Sequence, residues 1–300
     1  MSYNGSLYPI AFQNHPTRRT TLKLALSGLA IECLRAQDVA LAPSAPPEIG
    51  RRIPARDPHA LTGSQFAQSV LNMDRHERER AILDQITQGN LPGFLRKLVP
   101  VKLSHTAADG RMLAATIFVM PEYLAIGSDR DFLRIPMNLH TAAAIAQRFD
   151  FMLPTKKIVD TLYDHSPCHF TPQPLPAGPE MTSTEYYRTH NTMIEKQAQS
   201  LGFQPGALVS GHKKDVVLTN RLATHPGQIA IYGWHRASGD PIQPLSTVHG
   251  AGYADYSHGI RLVAGMALVE NQWRSTHEIL ADSSLANILS DEGPIRVSPA

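Results

Sequence analysis

Two hydrophobic rhythms divide this chain. Across residues 64–89 apolar positions recur at helical spacing: Phe66, Val70 and Leu71 share one face, and Ala81, Ile82 and Ile86 share another. Asp74 stands where it caps the second of these helices, and Asn90-Leu91-Pro92-Gly93 ends it. From residue 99 to residue 134 the rhythm changes. Val101-Lys102-Leu103 leads into Asp109-Gly110, a hairpin turn signal, and the β-forming run 113–120 follows. Tyr123-Leu124-Ala125-Ile126-Gly127 continues it, which predicts a small antiparallel sheet. Ser128-Asp129-Arg130-Asp131 reads as a solvated turn.

Helical spacing then returns. Residues 141–149 carry Ala143, Ala144, Ile145 and Phe149, and Pro154 opens a helix with Ile158, Val159 and Leu162 as its apolar stripe. A proline-rich loop covers 165–179. Thr182 or Ser183 caps the next helix, which runs to about residue 201, where Gly202 stops it. Beyond it the runs 207–209 with 216–218, 229–232 and 260–263 read as strands, with 264–269 extending the last. Short helices are expected at 276–280 and 284–289, then a polar tail. Strands and helices mix without βαβ alternation, which predicts an α+β fold. It comprises N-terminal helices, a small antiparallel sheet and a mixed β-rich C-terminal half with short helices. One globular domain over 63–300 holds them all.

The first 62 residues have neither rhythm. Residues 37–62 are rich in Pro, Ala and Arg and read as a flexible linker. In residues 1–36, Arg18-Arg19-Thr20-Thr21-Leu22-Lys23 precedes an apolar run from residue 24 to 34, with no acidic residue before Glu32. This segment resembles a twin-arginine signal peptide, with Thr21 where that pattern usually has Phe. The resemblance implies the twin-arginine export machinery as a partner and a periplasmic or extracellular, secreted product. The run is shorter than the roughly 20 apolar residues of a membrane span, so no permanent anchor is expected.

Composition narrows the function classes. Of 300 residues 42% are hydrophobic and 18% charged, and the net charge of +2 gives no reason to expect a nucleic-acid partner. The 23 prolines predict many loops, and two cysteines cannot build a disulfide framework. The 14 histidines draw attention, because imidazole titrates near neutrality and ligates metals.

Chemistry-bearing residues concentrate between Pro205 and Val263, among Gly, Pro and Ser. His212, Asp215, His249 and His258 are of the types that hold zinc, which makes them the candidate metal ligands. No HExxH, HxH or CxxC accompanies them. Asp255 lies three residues before His258, so it can orient that imidazole as a general base after a bend at Gly259. His212, Asp215, His249, Asp255 and His258 are therefore the candidate catalytic groups. Lys214 and Arg261 are placed to bind an anionic group, beside Trp234, His235 and Tyr256 as further substrate contacts. Cys168, in a proline-rich loop, reads as an unremarkable thiol rather than a nucleophile.

Two short patterns resemble cell-wall enzymes. His212 and Asp215 followed by Trp234-His235 are similar to the ligand pattern of D-Ala-D-Ala metallopeptidases, which implies His212, Asp215 and His235 as ligands. The His–Asp gap is shorter here, and Tyr232-Gly233 replaces that family's acidic base. His249-Gly250 with Ser257-His258-Gly259-Ile260-Arg261-Leu262 resembles the L,D-transpeptidase signature. Ile260 stands where that family has its nucleophilic Cys, so the cysteine chemistry does not carry over. The expectation is an exported hydrolase acting on a cell-envelope or extracellular polymer, or another anionic substrate, by His/Asp-based catalysis with or without zinc. The alternative is a non-catalytic exported glycan- or peptide-binding protein with a cleft lined by Tyr232, Trp234, Tyr253 and Tyr256. Convergence of the histidines in a concave pocket marks the first, and an exposed aromatic row marks the second.

Overall fold

The computed structural model describes residues 52–296. The leader expected over 1–36 and most of the linker lie outside the described residues. Residues 52–62, expected to be linker, are docked instead. Ile53 is buried, and Arg56 donates to Asn90 Oδ1 and to the carbonyls of Ala60 and Leu61.

Local chemistry sets the helix starts. α1 (Gly63–Ser69) and α2 (Arg75–Thr87) each open on a capping box, Thr62 with Gln65 and Asp74 with Glu77. A hairpin of β1 (Val99–Thr106) and β2 (Met112–Val119) follows, then the short pair β3 (Ala125–Gly127) and β4 (Phe132–Arg134). α3 (Leu139–Phe149), β5 (Phe151–Met152) and α4 (Lys156–His165) come next, the helices capped by Asn138 and Thr155. After β6 (Cys168–His169), α5 (Thr184–Ser200) is capped by Ser183. The C-terminal half contains β7 (Val209–Ser210), β8 (Lys214–Val216), α6 (Arg221–Thr224), β9 (Gln228–His235) and β10 (Pro241–Gly250). It ends with β11 (His258–Gly259), β12 (Val263–Ala264), β13 (Met266–Val269), β14 (Gln272–Ser275), α7 (Thr276–Ala281) and α8 (Ala286–Leu289).

The fold is α+β, as the mixed patterning predicts. A six-stranded sheet runs β14-β13-β2-β12-β5, with β1 paired to β2. A four-stranded sheet runs β10-β9-β8-β11, in which only β8 and β11 are parallel. One continuous core passes from Ile82 and Ile86 through Phe118, Ile145 and Phe149 to Val263 and Leu289. Each such side chain contributes about 1.5–3 kcal/mol on full burial, so the core carries the stability.

Segment 258–264 belongs to both sheets. β11 lies beside β8 in one, and β12 lies between β2 and β5 in the other. Between them the carbonyls of Ile260 and Leu262 accept from the amides of Leu124 and Met120. The polar residues just before this segment are thereby fixed against the core. β10 differs from expectation. Pro241 and Pro244 suggest a loop, yet the segment forms a hairpin with β9, with register shifts on either side of Ser246. Proline is tolerated there because β10 is an edge strand.

Candidate functional site

The β8–β11 register sorts the candidate residues onto two faces. His258 pairs with Lys214, and Gly259 pairs with Asp215. Partners in register project to the same side of a sheet. His258 and Lys214 therefore share one face, and Asp215 lies on the other.

On the Asp215 face the absence of a side chain at Gly259 admits the Tyr123 ring. Its hydroxyl donates to Asp215 Oδ2 at 2.8 Å. The Arg261 guanidinium lies 4.4 Å from the centre of the same ring. Arg261 does not await an anionic substrate, as expected from sequence. It is buried, and it donates to the carbonyls of Met120 and Val209. It locks the crossover between the sheets. Burial pushes Asp215 up to about 6, against the pull of Arg261 and the Tyr123 hydrogen bond.

Next to Tyr123 lies an ion-pair chain that the sequence reading missed. Glu122 Oε1 accepts from His212 Nε2 at 3.0 Å and from the Tyr123 amide at 2.8 Å. Glu122 Oε2 accepts from Arg134 Nε at 3.0 Å, and Arg134 Nη1 reaches Glu195 Oε1. Burial alone would raise the Glu122 pKa, but Arg134 and His212 outweigh it and hold the carboxyl well below its usual range. Burial lowers the His212 pKa despite Glu122. His212 is thus a partner of Glu122 rather than of Asp215.

On the opposite face, Asp255 and His258 are neighbours, but the hydrogen bond by which Asp255 is expected to orient the imidazole is not formed. His258 Nε2 lies 3.9 Å from Asp255 Oδ2. Asp255 Oδ1 accepts from both the amide and the hydroxyl of Ser257, and Oδ2 accepts from Tyr253 at 3.2 Å. Tyr253 is edge-on to His258 at 5.7 Å and stacks on His249 at 4.2 Å. Lys214 Nζ rests 5.0 Å over the Trp234 ring. Gly259 is a strand residue here, not the expected bend. Asp255 meets His258 because the turn before β11 bonds the His258 amide to the Asp255 carbonyl.

His258 is fully buried, and neither ring nitrogen has a hydrogen-bond partner among the described residues. Burial pushes its pKa down to about 4; Asp255 opposes this, and Lys214 and His249 add to it. The imidazole is therefore neutral at physiological pH. Burial would raise the Asp255 pKa, but His258, Lys214 and Ser257 together bring it below its ordinary value. Lys213 points elsewhere and donates to the Tyr256 carbonyl at 2.6 Å, its pKa pushed down to about 7 by burial and by Arg134. His190 of α5, another missed residue, is buried 5.1 Å from the Tyr256 ring with both nitrogens unbonded among the described residues.

The expected metal set is not assembled. His212 and Asp215 flank Tyr123, while His249 and His258 flank Tyr253. Among the described residues no group of three His, Cys, Asp or Glu side chains gathers as ligands for one ion. The strand alternation is the cause, because it sends Asp215 away from the His258 face. His235, expected at the substrate, joins a separate cluster on α4. Its Nε2 is 3.5 Å from Asp160 Oδ1, which also accepts from the Tyr232 hydroxyl. The aromatic row of the alternative reading is not exposed either: Tyr232, Trp234 and Tyr256 are buried. Trp234 adopts a left-handed φ of 58° just after Gly233, itself at 108°, and this turns its ring away from strand alternation.

Near Tyr253 the protein surface is concave. A cavity of about 580 Å³ is lined by Arg75, His76, Glu79, Arg80, His140 and Gly252. Glu79 Oε1 accepts from the Asn138 amide, whereas Oε2 is buried and accepts nothing among the described residues. Burial raises the Glu79 pKa against the Thr141 and Asn138 hydrogen bonds. No protein family, no curated protein and no solved structure matches this chain.

Proposed function

We propose that this protein is an exported hydrolase of a cell-envelope or extracellular polymer, working by acid–base catalysis at Asp255 and His258. The observation that supports the reading is the state of His258. It is fully buried, neither nitrogen has a partner among the described residues, and a carboxylate lies 3.9 Å away. An idle polar group in a dry interior costs stability, by about 1–3 kcal/mol. A fold selected for stability alone gains nothing from such a residue.

In this mechanism the neutral His258 takes a proton from the attacking water, and Asp255 stabilises the imidazolium that forms. Lys214 and the arginines of the neighbouring cavity attract the anionic polymer. Tyr253 and His249 cover the imidazole, so their stack must part for substrate to enter. The decisive experiment incubates the folded protein with isolated envelope polymer and measures soluble fragments. His258→Gln should abolish release while leaving the melting temperature within a few degrees. Equal release by wild type and variant, or none by either, would remove the hydrolase reading.

A further inference from the structure

A second site lies away from Asp255 and His258, at the outer end of the Glu122–Arg134–Glu195 chain. There a cavity of about 170 Å³ is walled by Phe94, Phe132 and Phe203. Phe94 and Phe132 meet edge to face, with centroids 5.2 Å apart. The polar end of the cavity is formed by Glu122, Arg134 and Glu195.

Among the side chains lining that end, two carboxylates share one guanidinium. Arg134 gives Nε to Glu122 and Nη1 to Glu195. Arg134 Nη1 meets only one oxygen of Glu195, Oε1. Glu195 Oε2 accepts no hydrogen bond among the described residues, and the Glu195 side chain is 36% exposed, so solvent or a ligand reaches it. Arg134 already sits 4.9 Å over the Phe132 ring, which shows that this aromatic wall accommodates a cation.

We propose that this cavity binds a primary alkylammonium group, the head on Glu195 and the apolar stem between the phenylalanine rings. Its size argues for a side-chain-sized group. Sites for whole drug-sized ligands run to about 300–1,000 Å³, and this one is smaller. An anionic ligand is disfavoured, because it would approach Arg134 past two carboxylates. The inference stands independently of the hydrolase reading, since it uses none of its residues.

The test is a titration of the full chain by calorimetry and by amide chemical shifts. The probes are n-pentylamine, 1-pentanol, pentanoate and Nα-acetyl-lysine methylamide. Pentylamine should bind saturably, at least tenfold more tightly than pentanol, with pentanoate inert. Glu195→Gln should weaken the amine about tenfold, Phe203→Ala several-fold, and Glu185→Gln, an exposed change elsewhere on α5, not at all. Binding of the lysine derivative as well assigns the site to lysine-type side chains of a peptide, and binding of pentylamine alone assigns it to free amines; both support the proposal. It is overturned if pentylamine fails to saturate, if pentanol or pentanoate binds equally well, or if Glu195→Gln leaves the amine affinity unchanged. The wild-type probe series decides the question even where a variant folds poorly.

Discussion

Gly259→Ala tests how the two faces of the β8–β11 pair are held apart. Gly259 has an ordinary backbone conformation, so the argument is steric alone. A Cβ at this position would lie 2.6 Å from Tyr123 Cδ1 and 2.7 Å from Lys213 Cβ. Neither neighbour is the loose end of a flexible chain. The Tyr123 ring is wedged between Gly259 and the Arg261 guanidinium, and Lys213 Cβ is attached directly to backbone. Overpacking of this kind costs about 1–3 kcal/mol. Displacing the ring also breaks the Tyr123–Asp215 hydrogen bond. Asp215 Oδ1 already has no partner among the described residues, so the loss strips the whole carboxyl and adds about 1–3 kcal/mol. Stiffening of the unfolded chain returns about 0.4–1 kcal/mol. The net expectation is a destabilisation of about 1–6 kcal/mol. For a domain of this size that lowers Tm by roughly 2–22 °C. Urea titration followed by tryptophan fluorescence gives the number, and the double variant Gly259→Ala/Tyr123→Ala gives its origin. The two changes should couple by at least about 1 kcal/mol, because the second removes the ring that the first strikes. A stability change below about 0.5 kcal/mol, or strict additivity, would refute the wedge.

Three further outcomes follow from the buried polar groups. Stability should rise with pH between about 4 and 6.5. His258, pushed down to about 4, binds its proton only in the unfolded chain over that window. The span of about 2.5 units corresponds to about 3 kcal/mol at most. His190 and His212, also lowered by burial, act in the same direction, while Asp215, raised to about 6, opposes them. Accordingly, denaturation curves for Asp215→Asn should show a steeper rise with pH than wild type, and an unchanged slope would contradict the assignment. Glu122→Gln leaves the buried Arg134 with Glu195 as its one ion-pair partner among the described residues, beside the neutral Asn191 Oδ1, and should cost about 3–5 kcal/mol in urea denaturation; a loss under 1 kcal/mol would mean that the pair is dispensable. Arg261→Lys cannot span the Met120 and Val209 carbonyls with a planar fork, so it should lower stability by about 2 kcal/mol. If instead it weakens substrate binding with Tm intact, Arg261 belongs to the ligand after all.

What could be read from the sequence follows from how far apart the interacting residues lie. Helix starts are decided within four residues, and Asp74 and Ser183 cap where their neighbours predict. The Asp255–His258 pair is equally local. Glu122 and Arg134 were missed because their partners are distant: His212 lies 90 residues beyond Glu122, and Glu195 lies 61 beyond Arg134. A faint signal existed, since a lone acid inside the apolar run 117–126 implies a buried, paired charge. His190 left a similar trace, on one helical face with Tyr187 and Ile194. His212 and Asp215 misled because proximity in sequence suggests a shared ion, whereas strand alternation sends the carboxylate to Tyr123.

The same comparison separates polar groups that the fold explains from those that it does not. Arg261, Glu122 and Asp255 are buried, but each is bonded to several partners, and removing any of them would leave buried polar groups without a partner. Their presence is accounted for by the way they fix loops and sheets. His258 and His190 are buried without a bond to either nitrogen among the described residues, and each weakens the fold that contains it. Packing would be served as well by leucine at either place. Of the two, only His258 has a carboxylate beside it and a half-buried aromatic stack over it, so substitution of His258 is the change in which stability and activity should move in opposite directions.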